Sequence, residues 1–591
     1  MAIENLITDH LDLWTAAVRP KSSAGRGSNS KLELTGIKKL RELILELAVR
    51  GKLVPQDPSD EPASVLLERI AAEKTRLVKE GKIKKPKALP EIGEEDKPFE
   101  LPEGWECIRL GDLTSKMGSG STPRGGQSAY VSEGIPFLRS QNVWNEGLRL
   151  DDVVYIDENT HLKMEGTKVI PGDVLLNITG ASLGRTLIFP DSIKEANVSQ
   201  HVTIIRLLID ELAPFVHLGI KSPLVQDLIW GRQVGMAIEG LSKRTLELFE
   251  FPIPPLAEQQ RIVAKVDELM VLCDQLEQRC ESKLAAHQTL VETLLATLTD
   301  SCDAEELARN WARLSTHFDI LFTTEASIDA LKQTILQLAV MGKLVPQDPS
   351  NEPASALLER IAAEKAQLVK EKKIKKEKPL PEISENEKPF ELPQGWVWCR
   401  VNSCMDSLRD ISYGIIKLEA EPEIGGIPTL RCSDVKQGYI DLTNVRNVSA
   451  EIEAPYARTR LKGGEVLVNI RGTLGGVSLV PMELAGFNIA REIAMLPLHS
   501  DISGKYFSNV IRTPFFWGMI ESNLKGIAYK GLNLNILREF VIPLPSFEEQ
   551  QRIVAKVDEL MALCDQLKSR LQTSQQTQLA LAESLVEGAL A

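Results

Sequence analysis

The sequence predicts an α+β fold: two similar α+β domains joined by long antiparallel coiled-coil helices, an internal repeat with pseudo-two-fold symmetry. Three observations lead there. The segment GKLVPQDPSDEPASVLLERIAAEKTRLVKE at 51–80 recurs with few changes at 342–371. EQQRIVAKVDELM at 258–270 recurs letter for letter at 549–561, and both pairs lie 291 positions apart. Between the repeated parts, 106–250 and 397–540 have nearly equal lengths but few common letters. A tandem duplication of this size builds a pseudo-dimer.

Taken in order, the chain divides into 1–104, a helical region and linker; 105–254, a first variable domain; 255–395, a central repeated helical region; 396–545, a second variable domain; and 546–591, a closing helix. Each copy opens with an amphipathic helix, 33–50 and 326–341, whose apolar residues recur at three and four. GKLVPQDP then makes a turn: Gly51 or Gly342 takes the left-handed helix-end conformation, and Pro55 or Pro346 stops the helix resuming. A second helix at 61–80 and 352–371 is dense in Glu, Lys and Arg, a face suited either to solvent or to a partner.

Next come KIKKPKALPEIGEEDKPFELPEGW and KIKKEKPLPEISENEKPFELPQGW, rich in Pro and charge, which read as linkers or extended straps. The Lys cluster at 82–87 suits a soluble linker or a phosphate contact. Within the variable segments three islands match: IPFLR (135–139) with IPTLR (427–431), GDVLLNITG (172–180) with GEVLVNIRG (464–472), and GMAIEGL (235–241) with GIAYKGL (526–532). β-Branched runs punctuated by Gly predict strands and tight turns of one mixed domain built twice. The frame is shared and the loops are not.

Each variable domain leaves through a proline run, FPIPPLAEQQ or VIPLPSFEEQQ, into a long helix, and Ser546 with Glu549 has capping-box spacing. Ile262, Val266, Leu269, Cys273, Leu276 and Cys280 step by four and three, as do Ile553, Val557, Leu560, Cys564, Leu567 and Leu571, which gives each copy a coiled-coil seam. A pseudo-two-fold axis across such helices packs them antiparallel, with a variable domain at each end of one spacer. Two independent helical hairpins are the alternative.

Composition narrows the function classes. The first twenty residues carry Glu4, Asp9 and Asp12, unlike a signal peptide, and no uncharged apolar run approaches a membrane span, so a cytoplasmic protein is expected. Eight scattered cysteines without a C-x-x-C pair read as reduced core thiols. The net charge of −13 argues against a free-standing nucleic-acid binder, yet residues 397–540 hold 16 Lys+Arg against 15 Asp+Glu, which leaves room for a local basic face. No phosphate loop, H-E-x-x-H motif or Cys/His metal cluster is present, nor an Asn-Pro-Pro or Asp-Pro-Pro tetrapeptide for a flipped base. MGSGSTPRGG (117–126) lacks the G-x-G-x-x-G arrangement and reads as a surface loop, and His201 reads as a strand-edge residue.

ELPEGW and ELPQGW at the entry to each variable domain, the GSGSTP loop, the IPxLR islands and the proline-rich exit into EQQRIVAKVDEL, twice and in this order, resemble the specificity subunit of type I restriction–modification enzymes. The resemblance covers essentially the whole chain. It implies two target-recognition domains, each reading one half of a bipartite asymmetric site on double-stranded DNA, with the helices as a ruler between them. It also implies a bacterial, DNA-associated complex with two methyltransferase subunits and two ATP-dependent restriction/translocase subunits. This chain then has no catalytic, metal or cofactor site of its own; S-adenosylmethionine, ATP and Mg belong to the partners.

Direct readout draws on Arg or Lys for guanine, Asn or Gln for adenine and Asp or Glu for cytosine. On that basis the candidate DNA-binding residues in the first domain are Thr122, Arg124, Arg139, Gln141, Asn142, Arg185, Lys243 and Arg244. In the second they are Tyr413, Lys417, Arg431, Asp434, Lys436, Arg471, Arg491 and Lys530. Some of these would touch phosphate and not bases, and any that is buried would be structural. The polar faces expected to point away from the seams, Gln259, Arg261, Lys265, Asp267 and Glu268 with Gln550, Arg552, Lys556, Asp558 and Glu559, are the candidate partner-docking surfaces; recent duplication would also leave them identical. Competing readings are a specificity subunit of a modification-only or phage-defence methyltransferase, a protein- or RNA-binding interaction scaffold, and an enzyme with an unrecognised site.

Overall fold

The structure is a computed structural model that describes residues 3–20, 32–232, 240–302, 304–376, 378–524 and 531–590. The chain forms two compact units. The first comprises Met1–Lys283 with Ser574–Ala591 and the second Leu284–Thr573. The long helices Leu256–Thr299 and Phe547–Leu590 each begin in one unit and end in the other. The points of passage, 283/284 and 573/574, keep nearly the spacing of the sequence repeat.

In both units the repeated segments assemble into one cluster. The helices Thr35–Val49 and Glu325–Val340 end at Gly51 (φ 70°) and Gly342 (φ 68°), the left-handed positions the turn motif requires. These glycines also lie against the ELPxGW motif: a Cβ on Gly51 would stand 2.6 Å from Pro102 Cγ, and one on Gly342 would stand 2.4 Å from Pro393 Cγ. The second helices, Ala63–Lys79 and Ala354–Lys370, start from the same motif, because the Ala63 and Ala354 N–H groups donate to the Gly104 and Gly395 carbonyls at 2.9 Å. Trp105 donates its indole N–H to the Glu258 carboxylate at 3.0 Å, joining ELPEGW to the start of the long helix. Burial pushes the Glu258 carboxyl above its usual value, with the Trp105 bond and Arg261 opposing. Burial likewise raises Glu549, with Trp396 and Gln347 opposing. Ser546 accepts from Glu549 N at 3.2 Å, so half of the expected capping box forms while the Glu549 carboxylate turns into the core.

The charged linkers are docked straps. Arg109 donates to the carbonyls of Pro90 (3.2 Å) and Leu248 (2.8 Å) and pairs with the buried Glu250. Arg400 does the same with Pro381 (3.3 Å), Glu382 (3.0 Å) and Glu539 (2.6 Å). Both arginines end an entry strand that pairs antiparallel with the exit strand of its domain, Glu106–Arg109 with Glu250–Ile253 and Val397–Arg400 with Val541–Leu544. Each variable domain is thereby tied shut where the chain enters and leaves.

Between these ties the first unit holds a four-stranded antiparallel sheet, in the order Thr186–Ile188, Val174–Asn177, Val202–Leu207, Thr114–Ser119. Beside it is a five-stranded mixed sheet in the order Lys168–Val169, Ala196–Val198, Ile135–Leu138, Val154–Ile156, Tyr130–Val131. The second unit repeats the plan with Val477–Leu479, Val466–Asn469, Ile493–Leu496, Ser412–Tyr413 and a three-stranded sheet centred on Ile427–Leu430. The two copies of the IPxLR island form the same strand, Ile135–Leu138 pairing parallel with Ala196–Val198 and Ile427–Leu430 with Asn488–Ile489, while most of GMAIEGL and GIAYKGL lies outside the described residues.

The seams pack within their units. Ile553, Val557 and Cys564 share a core with Ile328, Leu331 and Ile335, flanked by Lys568 pairing with Asp329 (3.2 Å) and Glu325 (3.3 Å). Val291, Leu295 and Leu298, from the end of the first long helix, belong to the same core. In the first unit Arg41 reaches Asp274 (2.7 Å) and Glu277 (2.8 Å), and Lys39 reaches Glu583 (3.2 Å). Ile262, Val266, Leu269, Cys273 and Leu276 are buried, but Cys280 is only half-buried. The cysteines are not uniformly core residues: Cys273, Cys399, Cys404 and Cys564 are buried, Cys302 is exposed, and all eight are free thiols.

Two measurements follow. Gly51→Ala and Gly342→Ala each combine a positive φ with a clash and should cost about 1–3 kcal/mol, read as a lower melting midpoint of the affected unit. The penalty of ionising Glu258 is absent below the ordinary glutamate value of 4.5, where the carboxyl is protonated folded and unfolded, and grows as pH rises through its raised folded value. The stability of Glu258→Gln relative to the parent should therefore move in the variant's favour between pH 4 and pH 7.5, measured by thermal denaturation at both ends.

Candidate nucleic-acid interface

At one edge of each variable domain four loops are tied together by the same backbone and amide contacts. The node in the first unit is Asn177, fully buried at the end of its strand, which donates to the carbonyls of Ser140 (2.8 Å) and Val143 (3.3 Å). Asn469 is its counterpart and donates to Cys432 (2.9 Å), Val435 (3.1 Å) and Thr473 (3.1 Å). Both belong to the island GDVLLN/GEVLVN, so the shared letters hold the unshared loops. A second tie is steric. Gly120 passes so close to the Val198 carbonyl that a Cβ would lie 1.8 Å from its oxygen, and a Cβ on Gly414 would lie 1.7 Å from Ile489 O. Only glycine fits there.

On this frame the predicted residues separate into exposed and structural ones. Thr122 and Arg124 are exposed on the glycine loop, with Thr122 donating to Gln200 Oε1 at 3.2 Å. Gln141 is exposed. Arg185 stacks on Trp144 at 3.6 Å from the ring centroid, and Arg149 lies 3.5 Å from the same centroid. Sequence reasoning passed over Trp144 and Arg149, because nothing local announces that a tryptophan and two arginines from different loops will stack. Lys243 and Arg244 are exposed on the short helix Lys243–Glu247, both near Glu247. In the second unit Tyr413, Lys417, Arg471 and Arg491 are exposed and Lys436 is half-buried. Lys530 lies outside the described residues.

Four candidates are engaged by the fold around them. Asn142 (1 % exposed) accepts from Arg139 N at 2.9 Å and donates to Arg149 O at 2.8 Å, and Asp434 (4 %) accepts from Arg431 N at 2.8 Å. Both spend their side chains shaping the turn after the IPxLR strand. Arg139 and Arg431 brace the same turn, donating at 2.6 Å to the Asp152 and Asn444 carbonyls. They are half-buried. His201, expected at a strand edge, shares a hydrogen bond with Thr179 at 2.7 Å between two of the tied loops.

On the docking faces, Gln259 and Gln550 do not point outward as expected. They are buried and cap the proline exits, donating to Pro254 O (2.9 Å) and Pro545 O (3.1 Å). Arg261 is engaged within its unit by Asp60 at 2.6 Å, and Arg552 is half-buried. Asp267 and Glu268 are exposed, Lys265 pairing with Glu268 at 3.1 Å; Asp558 and Glu559 are exposed too, Lys556 pairing with Glu559 at 2.9 Å. Among the described residues there is no group of three His, Cys, Asp or Glu that could hold a metal ion, and no helix is long and apolar enough to cross a membrane.

The two loop-bearing domains coincide with a known sequence profile. The type I restriction modification DNA specificity domain matches residues 102–286 and 413–574. The chain belongs to this family. It is 45% identical over 605 residues to the type I restriction enzyme EcoEI specificity subunit of Escherichia coli, and 42% identical over 609 residues to the EcoAI specificity subunit of the same organism. In both cases the match covers 100% of each chain. A chain from a solved type I R-M system is 18% identical, with a TM-score of 0.47, over 83% of this chain and 99% of that one.

Family membership does not assign the buried Asn142 and Asp434, but their geometry does. Asn142→Ala and Asp434→Ala remove acceptors from a buried turn and should each destabilise their unit by about 1–3 kcal/mol, measured by denaturant unfolding. Gln141→Ala, on the exposed side of the same turn, should stay within about 0.5 kcal/mol of the parent.

Proposed function

We propose that this chain is the non-catalytic sequence-recognition subunit of a type I restriction–modification complex on double-stranded DNA. Residues 105–254 and 396–545 are its two target-recognition domains; 1–104, 255–395 and 546–591 are the helical and strap regions that carry them. The observation behind this reading is one frame built twice with different loops at the same edge. Asn177 and Asn469 hold that edge through matching carbonyls, Ser140 and Val143 in one unit and Cys432 and Val435 in the other, while the exposed side chains on it differ between the units. A true homodimer presents the same surface twice and reads a symmetric site, whereas divergent loops on a duplicated frame read an asymmetric one.

The exposed residues Thr122, Arg124, Gln141, Lys243 and Arg244 with the half-buried Arg185 in the first domain, and the exposed Tyr413, Lys417, Arg471 and Arg491 with the half-buried Lys436 in the second, are the contacts with DNA. Arg139, Asn142, Arg431 and Asp434 position them. The net charge of −13 suits a subunit whose partners supply part of the phosphate contact. Asp267, Glu268, Asp558 and Glu559, with their lysine partners, are the parts of the repeated faces open to two methyltransferase subunits, on which two restriction/translocase subunits assemble. S-adenosylmethionine, ATP and Mg act on those partners, in the bacterial cytoplasm. Long-read sequencing of DNA from cells expressing this chain with its methyltransferase subunit should show a new N6-methyladenine motif of two short unequal half-sites around a fixed gap. A stable, active complex that yields no such motif would refute the assignment.

A further inference from the structure

Gln200 and Arg491 occupy the same place in the two frames. The residues before them, Ser199 and Ala490, donate backbone N–H to Leu138 O (2.9 Å) and Leu430 O (2.8 Å). The carbonyls of those residues accept from Val202 N (3.0 Å) and Ile493 N (3.1 Å), closing the same tight turn. The carbonyls of the residues after them, His201 and Glu492, accept from Ile178 N (3.0 Å) and Ile470 N (2.8 Å). Each turn is also pressed by its glycine, Gly120 on Val198 O and Gly414 on Ile489 O. The backbone is therefore fixed on both sides of one exposed residue, and only that residue's chemistry changes. NVSQH and NIARE share only their asparagine, at the 291-residue spacing of the repeat, and the hydrogen bonds show that this register holds in the fold.

Their surroundings differ in a way that fits the change. Gln200 Oε1 accepts from the Thr122 hydroxyl at 3.2 Å, which uses one lone pair and leaves the other, together with the amide N–H groups, facing outward. Gly120 and Gly414 put Thr122 in register with Ile416, which is 50% exposed and offers no hydrogen bond. Arg491 is exposed and has no side-chain partner among the described residues. A carboxamide pairs in bidentate fashion with adenine N6 and N7, and a guanidinium with guanine O6 and N7.

Resting on the DNA-reading function proposed above, we infer that Gln200 and Arg491 are equivalent base-reading positions. Gln200, oriented by Thr122, takes an adenine in one half-site, and Arg491 takes a guanine in the other. A single exchange on a common turn thus contributes to the asymmetry of the site. Thr122, besides its own place among the DNA contacts, orients Gln200.

The test uses the full chain with its methyltransferase partner. In cells, methylation motifs are compared for the parent, Gln200→Arg and Arg491→Gln. Gln200→Arg should change one base pair of one half-site from A·T towards G·C, by about tenfold or more in relative modification, and leave the other half-site as it was. Arg491→Gln should do the reverse in the other half-site. A parent that gives a split motif which both variants reproduce at equal levels overturns this inference and leaves DNA reading intact. A parent that gives no split motif overturns both. Should either exchange abolish modification, the assembled Gln200→Ala complex is titrated against duplexes permuted at every position of the parent's motif. Loss of discrimination at one A·T pair alone supports the assignment, and discrimination retained at every position overturns it.

Discussion

Everything in each unit depends on the contact between the ELPxGW tryptophan and the start of the long helix. Trp105 gives its N–H to the buried Glu258, stacks edge-on against Phe215 at 6.3 Å, and fills the space that the missing side chain of Gly51 leaves. Trp396 repeats the packing, against Tyr506 at 6.5 Å and beneath Gly342, but its indole N–H makes no hydrogen bond to Glu549. One aromatic residue thus joins the turn after the first helix, the end of the strap, the variable domain and the long helix. Burying an indole and a carboxyl together is tolerable only because each satisfies part of the other's hydrogen-bonding need. That shared need explains why motifs about 150 residues apart in sequence occur together.

The frame must be stiff where the loops attach if the loops are to differ freely. Two devices achieve this with very few residues. A buried asparagine at the end of a strand satisfies carbonyls of the neighbouring loop, and a glycine lets one backbone lie directly against another. Neither device constrains the exposed side chains, so the loops can carry Trp144 between two arginines in one unit and Lys436 with Arg471 in the other. Function then sits in side chains that contribute little to folding, while the residues that resemble binding groups by type, Asn142 and Asp434, serve the fold.

The electrostatics follow the same division. Arg109 and Arg400 are consumed by strap carbonyls and carboxylates inside their units, and Arg400 holds the Glu387 carboxyl down to about 2. Arg261 is held by Asp60, and Lys265 and Lys556 by the glutamates one turn on. Much of the formal charge is therefore neutralised locally. The charge that matters for a polyanion is the part left without such a partner among the described residues, as at Arg491 on its turn.

The sequence alone determined the duplication, the helices and their glycine ends, and the presence of two variable domains on one frame. Each of these is local or periodic: 291-residue spacing, three-four apolar steps, Gly followed by Pro. It also named the family, through motifs repeated in a fixed order. Tertiary structure decided which polar residues are free. Gln259 and Gln550 looked like parts of an exposed polar face, yet they turn back to cap proline carbonyls because the helix start is buried beneath its own domain. It also decided that the charged linkers are docked straps, and that Gln200 and Arg491 are counterparts. The 291-residue spacing suggests that pairing, but inside loops of differing letters and lengths only the hydrogen bonds of the surrounding backbone establish it.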